Sequence, residues 1–410
     1  MEYFKVAVIG GGAAGIMCAL QLQNLGVLGV ALLEKNDRLG KKLSATGNGQ
    51  GNVTNLALSE NNYFSSDLKK SFSIISAFDN TRLIEYLTSL GGLFSADSRG
   101  RVYPSSRQAS SVTDLLRFAL NAGETTIRLG CCVRSVERWR NGYVISTDQG
   151  KFECEYLVLA CGGKAAPHFG TEGDGYRFAS ELGMRVTDLQ PSLVQLKTET
   201  QPIRGLKGIK QECIVSLKQG DRFVVSFRGD VIFADYGVSG DAIFRISSFL
   251  KGECSLSLDF LPDFSYGQLI AVLRNKSKEF PKMRAEDLLR CIVNSGIGKA
   301  VLRRCSISFD AECCGLGKEL TRIARMIKDF SLKIVGTTGF ANAQVTKGGV
   351  AMDELTLSLE SKKSRGVYVI GELTDVDGEC GGYNLQWAFS CAVVSAQSIA
   401  RKIHGSDSNV

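Results

Sequence analysis

Histidine is almost absent from this chain: only His168 and His404 occur among 410 residues. No C-x-x-C occurs either, although there are 13 cysteines. The cysteine number is odd, and Cys131-Cys132 and Cys313-Cys314 are adjacent pairs. These features leave no zinc-ligand spacing, so no metal is expected, and no secreted disulfide framework. They also remove the dithiol-transfer mechanism of disulfide reductases. Reduced, mostly buried thiols in a cytoplasmic protein are the remaining reading. Proline is scarce, 6 residues against 45 glycines, so the glycine excess means close backbone turns rather than disorder. No apolar run reaches bilayer length, and no membrane association is expected. Val6–Leu20 is apolar enough to resemble a signal peptide. Acidic Glu2, the glycine cluster and the strand pattern that follows make it strand–turn–helix instead. Asn52-Val53-Thr54 is therefore expected to stay unglycosylated. No internal repeat or low-complexity segment is visible, and residues 405–410 read as a frayed tail.

What is present is an ordinary globular composition, 44% hydrophobic and 22% charged. The length calls for two or three domains rather than one core. The net charge of +7 suits anionic cofactors, small acidic substrates or nucleic acid alike, and decides nothing alone.

The N-terminus carries the strongest signal. The apolar run Val6–Ile9 leads into Gly10-Gly11-Gly12-Ala13-Ala14-Gly15, a helical stretch to Gly26, a second apolar run to Leu33, and Glu34. Gly10, Gly12 and Gly15 form G-x-G-x-x-G between a buried strand and a helix. Gly10 allows the turn, Gly12 lets a pyrophosphate approach the backbone, and Gly15 brings helix and strand together. The helix N-terminus offers free N–H groups to phosphate. Glu34 falls about 20 residues later, where a carboxylate accepts from a ribose diol and repels a 2′-phosphate. An ADP-containing dinucleotide is expected here.

Further apolar strands end in glycine, as parallel strands do when they deliver backbone to a ligand. One is Tyr156–Gly163, which makes Ala160, Gly162 and Gly163 cofactor candidates; another is Gly366–Glu372. Between them, segments 193–200, 211–218, 222–234 and 255–259 alternate as strands of a small antiparallel sheet. Residues 265–329 then carry helical periodicity with charged faces. The expected architecture is α/β: a Rossmann-type domain built from both ends of the chain, with a β-rich and helical insertion. The boundaries read 1–192 for the first part of the nucleotide-binding domain and 193–262 for the β-rich insert. A helical subdomain follows over 263–329, a return strand of the insert over 330–345, and the C-terminal part of the nucleotide-binding domain over 346–410.

A further glycine cluster, Gly378-Glu379-Cys380-Gly381-Gly382-Tyr383-Asn384-Leu385-Gln386-Trp387, opens a closing helix that runs to about Ile403. It is a second helix N-terminus suited to an electron-rich group. One dinucleotide needs only one pyrophosphate site. The second dipole fits the N1–C2=O edge of an isoalloxazine, which becomes anionic on reduction. This favours FAD over NAD as the tightly bound cofactor, held non-covalently. A plain glycine turn between strand and helix is the competing reading.

At this point the chain resembles the bacterial flavoproteins of the YhiN/BaiN and aminoacetone-oxidase-like type. The residues that carry the likeness are Val8–Gly15, Leu39–Gly49, Asn52–Asn55, Gly100–Pro104, Tyr236–Gly240, Val345–Val350 and Gly381–Trp387. The resemblance implies a Rossmann-type FAD domain, a β-barrel-like insert, a small helical subdomain and a redox activity. It implies that Gly10, Gly12, Ala13, Ala14 and Gly15 hold the pyrophosphate and Glu34 the adenosine ribose. By the same likeness, Lys35 and Lys42 flank the adenosine or pyrophosphate, and Val133 offers backbone to the adenine. Thr46, Gly47, Asn48 and Gly49 would run near the flavin. Gly371, Glu372, Gly381, Gly382, Tyr383, Asn384 and Leu385 would line the ribityl chain and pyrimidine edge, and Arg101 and Tyr103 would reach the substrate cavity. The chain departs from the family at Gly47-Asn48-Gly49-Gln50-Gly51-Asn52, where G-G-G-R-C-N is usual, and at Cys161 and Cys380, where threonine is usual.

Flavin chemistry asks for a dry face over N5 and one proton donor or electrophile. Lys347, beside Gly348-Gly349, is the first candidate, against a solvated loop lysine. His168, five residues after Gly163, is the second, against a structural histidine. Asp174 binds substrate or caps a helix starting at Tyr176. Arg303-Arg304 and Arg322–Lys328 read as solvated faces. The expected function is FAD-dependent hydride transfer between a small organic substrate and NAD(P)H, dioxygen or another acceptor. No second G-x-G-x-x-G follows a strand, so a nicotinamide would act as a transient co-substrate. A tRNA-modifying flavoprotein is an alternative, disfavoured because no helical RNA-binding extension follows the closing helix. A non-catalytic flavin-binding regulator is another. The substrate and oligomeric state are left open.

Overall fold

The computed structural model describes residues 1–407. The chain forms two compact units: Met1–Pro191 together with the chain from Gln344 onward, and Ser192–Ala343.

The first unit is organised by a sheet whose strands are β1 (Glu2–Ile9), β2 (Val30–Leu33), β3 (Thr126–Arg128), β4 (Val133–Trp139), β5 (Gly142–Thr147), β6 (Gly150–Leu159) and β7 (Val367–Val369). The order is β3-β2-β1-β6-β5-β4, with β7 also pairing β6. β3, β2, β1, β6 and β7 are mutually parallel, while β4 and β5 form antiparallel pairs. The long β6 serves both patterns: Phe152 and Cys154 pair with the hairpin strand β5, and Leu157–Leu159 pair with β7. Val6, Ala7 and Val8 are fully buried, the continuous apolar run expected of a strand covered on both faces. Helix α1 (Ala13–Asn24) and the closing helix α2 (Tyr383–Asp407) pack on one another. α1 is buried along nearly all of its length, from Ala14 to Leu22. α2 runs past Ile403 through Asp407, so the reading of 405–407 as a frayed tail is corrected; 408–410 lie outside the described residues.

The register settles where a ligand can sit. Ile9 pairs with Leu33 and with Leu159, and Leu159 pairs with Val369. The C-terminal ends of β1, β2, β6 and β7 therefore lie side by side at one sheet edge. Gly10, Glu34, Ala160 and Gly371 are the residues that leave that edge, which is where open parallel sheets bind ligands.

The second unit is a closed barrel in the order Leu196–Thr198, Gly237–Ser239, Arg222–Ala234, Lys210–Gln219, Ser255–Asp259 and Phe330–Thr337. In Lys210–Gln219 the alternate residues Cys213, Val215 and Leu217 are fully buried, the period-two signature of a strand with one face in the core. Phe260 joins Phe330 and Phe233 inside, with ring centroids 5.3 and 6.4 Å apart. Barrel closure is what the isolated strand patterns alone left undetermined. Helices Tyr266–Glu279, Ala285–Leu288, Ser295–Arg304 and Glu319–Lys328 complete the unit. In the last, Leu320, Ile323, Ala324 and Ile327 form the buried stripe, leaving Arg322 and Arg325 on other faces.

All 13 cysteines are free. Burial pushes the Cys154 and Cys391 thiols up to about 12, so both are protonated and unreactive at neutral pH. Cys291 and Cys314 are exposed. A thiol reagent at pH near 7 is expected to label those two first, with mass spectrometry of the peptides as readout; equally fast labelling of Cys154 or Cys391 would contradict the packing.

Candidate active site

The fingerprint turn is shaped by contacts that leave one side open. A Cβ at Gly15 would lie 1.8 Å from the Gly10 carbonyl oxygen, so α1 can approach β1 only with glycine there. A Cβ at Gly12 would meet nothing within 4 Å. Gly12 is the N-cap of α1 and has no side-chain cap, so the first-turn N–H groups face open space. This combination, tight against the strand and open in front of the helix, fits a pyrophosphate.

Glu34 is buried and held by donors at both oxygens. Gly11 N donates to Oε2, and Asn36 N and Nδ2 both donate to Oε1, each at 2.7 Å. Oε1 is filled by its two donors, whereas Oε2, with one, keeps acceptor capacity for a ribose hydroxyl. Cys131 N donates to the Glu34 carbonyl at 2.9 Å, which brings Val133, two residues on, to the same end. Lys35 reaches Glu172 at 2.9 Å and Asp174 at 3.0 Å. Burial alone would lower its pKa, but the hydrogen bonds to those carboxylates outweigh it and hold it above the ordinary lysine value. Its charge is thus committed within the protein. Asp174 is the first residue of the helix Asp174–Glu181, whose N-cap is Gly173. The helix starts earlier than the expected Tyr176, and Asp174 is not its cap.

Across the sheet edge, residues distant in sequence converge on one carboxylate. Glu372 Oε2 accepts from Lys42 Nζ at 2.7 Å, and its Oε1 accepts from Thr346 N at 2.9 Å. Thr346 Oγ1 in turn accepts from Lys164 N at 2.7 Å and Ala165 N at 3.0 Å. Gly163 lies beneath them: a Cβ there would meet Thr346 Oγ1 at 2.4 Å and Glu372 Oε1 at 2.6 Å. A Cβ at Gly371 would come within 2.9 Å of the Ala14 Cβ, so the C-terminal motif is seated on the first turn of α1. Ala160 N donates to the Ile9 carbonyl at 2.9 Å, and Gly162 follows at the same edge. Lys42, Ala160, Gly162, Gly163, Gly371 and Glu372 are therefore brought together with Ala13, Ala14 and the fingerprint.

The second helix N-terminus is locked to the strands beside it. Asn384 bridges the Gly378 backbone, accepting from its N–H at 2.9 Å and donating to its carbonyl at 2.8 Å. Asn55 Nδ2 donates to the Gly381 carbonyl at 3.0 Å. At Gly382, φ is +99° and a Cβ would lie 2.4 Å from the Thr54 carbonyl, so only glycine lets α2 begin here. The Tyr383 hydroxyl donates to the Ala57 carbonyl at 3.2 Å, and Leu385 packs against the main core. Thr46, Gly47, Asn48 and Gly49 form a more exposed loop, tied down where Ala109 N donates to the Gly49 carbonyl at 2.7 Å and Gly51 N to that of Thr46 at 3.0 Å.

The two catalytic candidates have different neighbours. Lys347 Nζ lies 5.1 Å from the Phe64 ring, and Phe64 is paired with Asp377 in the strand before the second glycine cluster. His168 is exposed in the turn Pro167–Phe169, its ring 4.1 Å from that of Phe169. The Phe169 carbonyl accepts from Asn36 Nδ2 at 3.1 Å. The turn that carries the histidine is thus tied to the Asn36–Glu34 segment.

Residues 4–398 match the model of the HI0933-like protein Rossmann domain. The chain belongs to this family. It is similar to a 3-dehydro-bile acid delta(4,6)-reductase of Clostridium scindens, with 33% identity over 407 residues, 97% of this chain and 99% of that protein. It is also similar to the ribosomal RNA dihydrouridine synthase of Escherichia coli, with 28% identity over 404 residues, 97% of this chain and 98% of the relative. The corresponding synthase of Haemophilus influenzae is 28% identical over 409 residues, 98% of this chain and 100% of the relative. Like the family, this chain is an FAD-dependent oxidoreductase. Among the described residues no helix is long and apolar enough to cross a membrane.

Proposed function

We propose that this protein uses non-covalently held FAD to saturate a carbon–carbon double bond conjugated to a carbonyl in a small organic molecule, with NAD(P)H as transient electron donor, in the cytoplasm. The observation that carries the reading is the chemistry common to the relatives' names. A 3-dehydro compound unsaturated at positions 4 and 6, and the uracil ring of uridine, both present a double bond next to a carbonyl. When bound, FAD supplies two-electron hydride chemistry at N5.

This chain's residues do the holding and positioning. Gly12 and the α1 N-terminus receive the phosphates, Glu34 the ribose, and Val133 the adenine. Gly162, Gly163, Gly371 and Glu372 line the middle of the cofactor. Gly381 to Leu385 bring the α2 N-terminus to its electron-rich ring edge, where a positive dipole end favours developing negative charge. Lys347 adds a cation on that side. His168, at the adenosine end, is given no proton transfer in this reading.

A second reading, reduction of a uridine within RNA, is favoured by the near-full-length similarity to two ribosomal RNA dihydrouridine synthases. Anaerobic stopped-flow absorbance separates the two. The holoenzyme is first bleached with NADH or NADPH, then mixed with conjugated enones, matched isolated alkenes, or a ribosomal RNA transcript. Reoxidation by enones and not by isolated alkenes is the expected result. Reoxidation by RNA alone would install the second reading. Folded protein that takes up no flavin, or flavin that neither donor reduces, would remove both and leave a binding protein without turnover.

A further inference from the structure

The strand Arg101–Pro104 lies beside the second glycine cluster, because Asn55 pairs with Arg101 and also holds the Gly381 carbonyl. Arg101 and Tyr103 share one face of that strand, and buried Val102 takes the other. Tyr103 is only 5% exposed, yet its hydroxyl makes no hydrogen bond among the described residues. Every sealed side-chain oxygen and nitrogen among those residues has a partner. The Tyr103 hydroxyl is therefore the part of the side chain that reaches an opening. Burial raises the Tyr103 pKa, and the nearby Asp97 and Cys380 act in the same direction against Arg101 and Arg107. The phenol is protonated at neutral pH and is a donor.

Arg107 supplies the second observation. Its guanidinium stands 4.3 Å from the Tyr103 ring centroid, and its backbone takes φ +52°, unusual for a residue with a side chain. Arg101, 5.9 Å from the same ring, is neutralised by Asp97 at 2.7 Å. Arg107 has no carboxylate partner among the described residues. An exposed cation without a carboxylate partner thus stands over a tyrosine whose hydroxyl is open to an acceptor. The chemistry it fits is an anionic group on the arginine and a carbonyl oxygen on the phenol.

We propose that Tyr103 donates a hydrogen bond to the substrate's conjugated carbonyl, that Arg107 binds a carboxylate on the same molecule, and that the substrates are therefore unsaturated oxo acids. This rests on the reduction proposed above. As hydride adds to the carbon β to the carbonyl, the π pair shifts to leave an enolate, whose oxygen takes the charge. The Tyr103 hydrogen bond strengthens as that charge grows. A proton from solvent at the α carbon completes the two-electron reduction.

The test is equilibrium binding of acetylacrylate and its methyl ester to the oxidised holoenzyme, followed by perturbation of the flavin spectrum and by calorimetry. The wild-type protein is expected to bind the acid about tenfold tighter than the ester. Arg107→Gln should erase that preference, and Arg107→Lys should restore part of it. Tyr103→Phe should weaken acid and ester alike by about tenfold, because both keep the carbonyl. Retained flavin reports that each variant folds. Equal binding of acid and ester by the wild type, binding of neither, or variants that bind as it does would overturn the proposal. The proposed reduction fails separately, when the bleached holoenzyme is reoxidised by no conjugated carbonyl even though the titrations come out as expected.

Discussion

Gly15→Ala is expected to yield a protein that purifies without flavin and unfolds at a lower temperature by roughly 5 °C or more, corresponding to about 3 kcal/mol of overpacking against backbone. The added methyl would lie 1.8 Å from the Gly10 carbonyl oxygen and 3.0 Å from its carbon. Neither atom is the end of a flexible side chain, so α1 must move off β1. That movement is costly, since Ile16, Met17, Ala19 and Leu20 around this contact are at most 1% exposed. Gly12→Ala provides the contrast. Its methyl would meet nothing within 4 Å, and φ is −83°, which alanine adopts freely. The apoprotein should keep its stability to within about 1 kcal/mol, the usual difference between glycine and alanine at an N-cap. FAD affinity, by contrast, should fall about tenfold or more, because the methyl occupies the space a phosphate needs. Thermal melts of the apoproteins and FAD titrations by fluorescence quenching separate the effects. A Gly12→Ala protein with unchanged FAD affinity would mean that the pyrophosphate is not seated on this turn.

The difference between those glycines was legible in the sequence, because the fingerprint is local: strand, turn and helix lie within the span from Val6 to Glu34 and each residue's neighbours are close in the chain. The same holds for the α2 N-terminus, where Gly381-Gly382 announces a tight helix start. The insert was partly legible. Alternation marked Lys210–Gln219 and Arg222–Ala234, which pair as a hairpin, and a return strand was read over 330–345, but closure also needs the short strand Gly237–Ser239. Three residues are too few for a period to show. The start of the helix at Asp174 was missed because Gly173, at φ +89°, caps it through backbone geometry rather than a side chain. Arg107 was not visible at all. Its meaning depends on being held over Tyr103 and on having no acidic partner, and neither is written in the residues around it. The fate of Lys35 and Lys42 was hidden for a related reason: their carboxylate partners lie 137, 139 and 330 positions away.

That last pair gives the second large effect. Glu372→Gln should lower the unfolding midpoint by roughly 4 °C or more. Loss of one partner from a buried ion pair costs about 3–5 kcal/mol, and the solvent access of this pair reduces that to about 2 kcal/mol. The side chains of Lys42 and Glu372 are 23% and 20% exposed, so both charges are mostly desolvated. Glutamine can still accept from Thr346 N through its amide oxygen, which keeps the Thr346, Lys164 and Ala165 contacts in place. What it cannot do is neutralise the Lys42 ammonium, which among the described residues then keeps the Ala165 carbonyl at 3.3 Å. Lys42→Met together with Glu372→Gln should recover part of the loss, because removing both charges leaves no uncompensated cation. The double-mutant cycle should thus show a coupling energy of about 1 kcal/mol or more. The same cycle read by FAD titration distinguishes a structural clamp from a direct cofactor contact. A clamp predicts that affinity recovers with stability in the double variant. A direct contact predicts that affinity stays low once either side chain is gone, however stable the protein becomes. Melting of Glu372→Gln at the wild-type temperature, with no coupling to Lys42, would mean that the two ends of the chain are joined here by packing of Gly371 on Ala14 and not by charge.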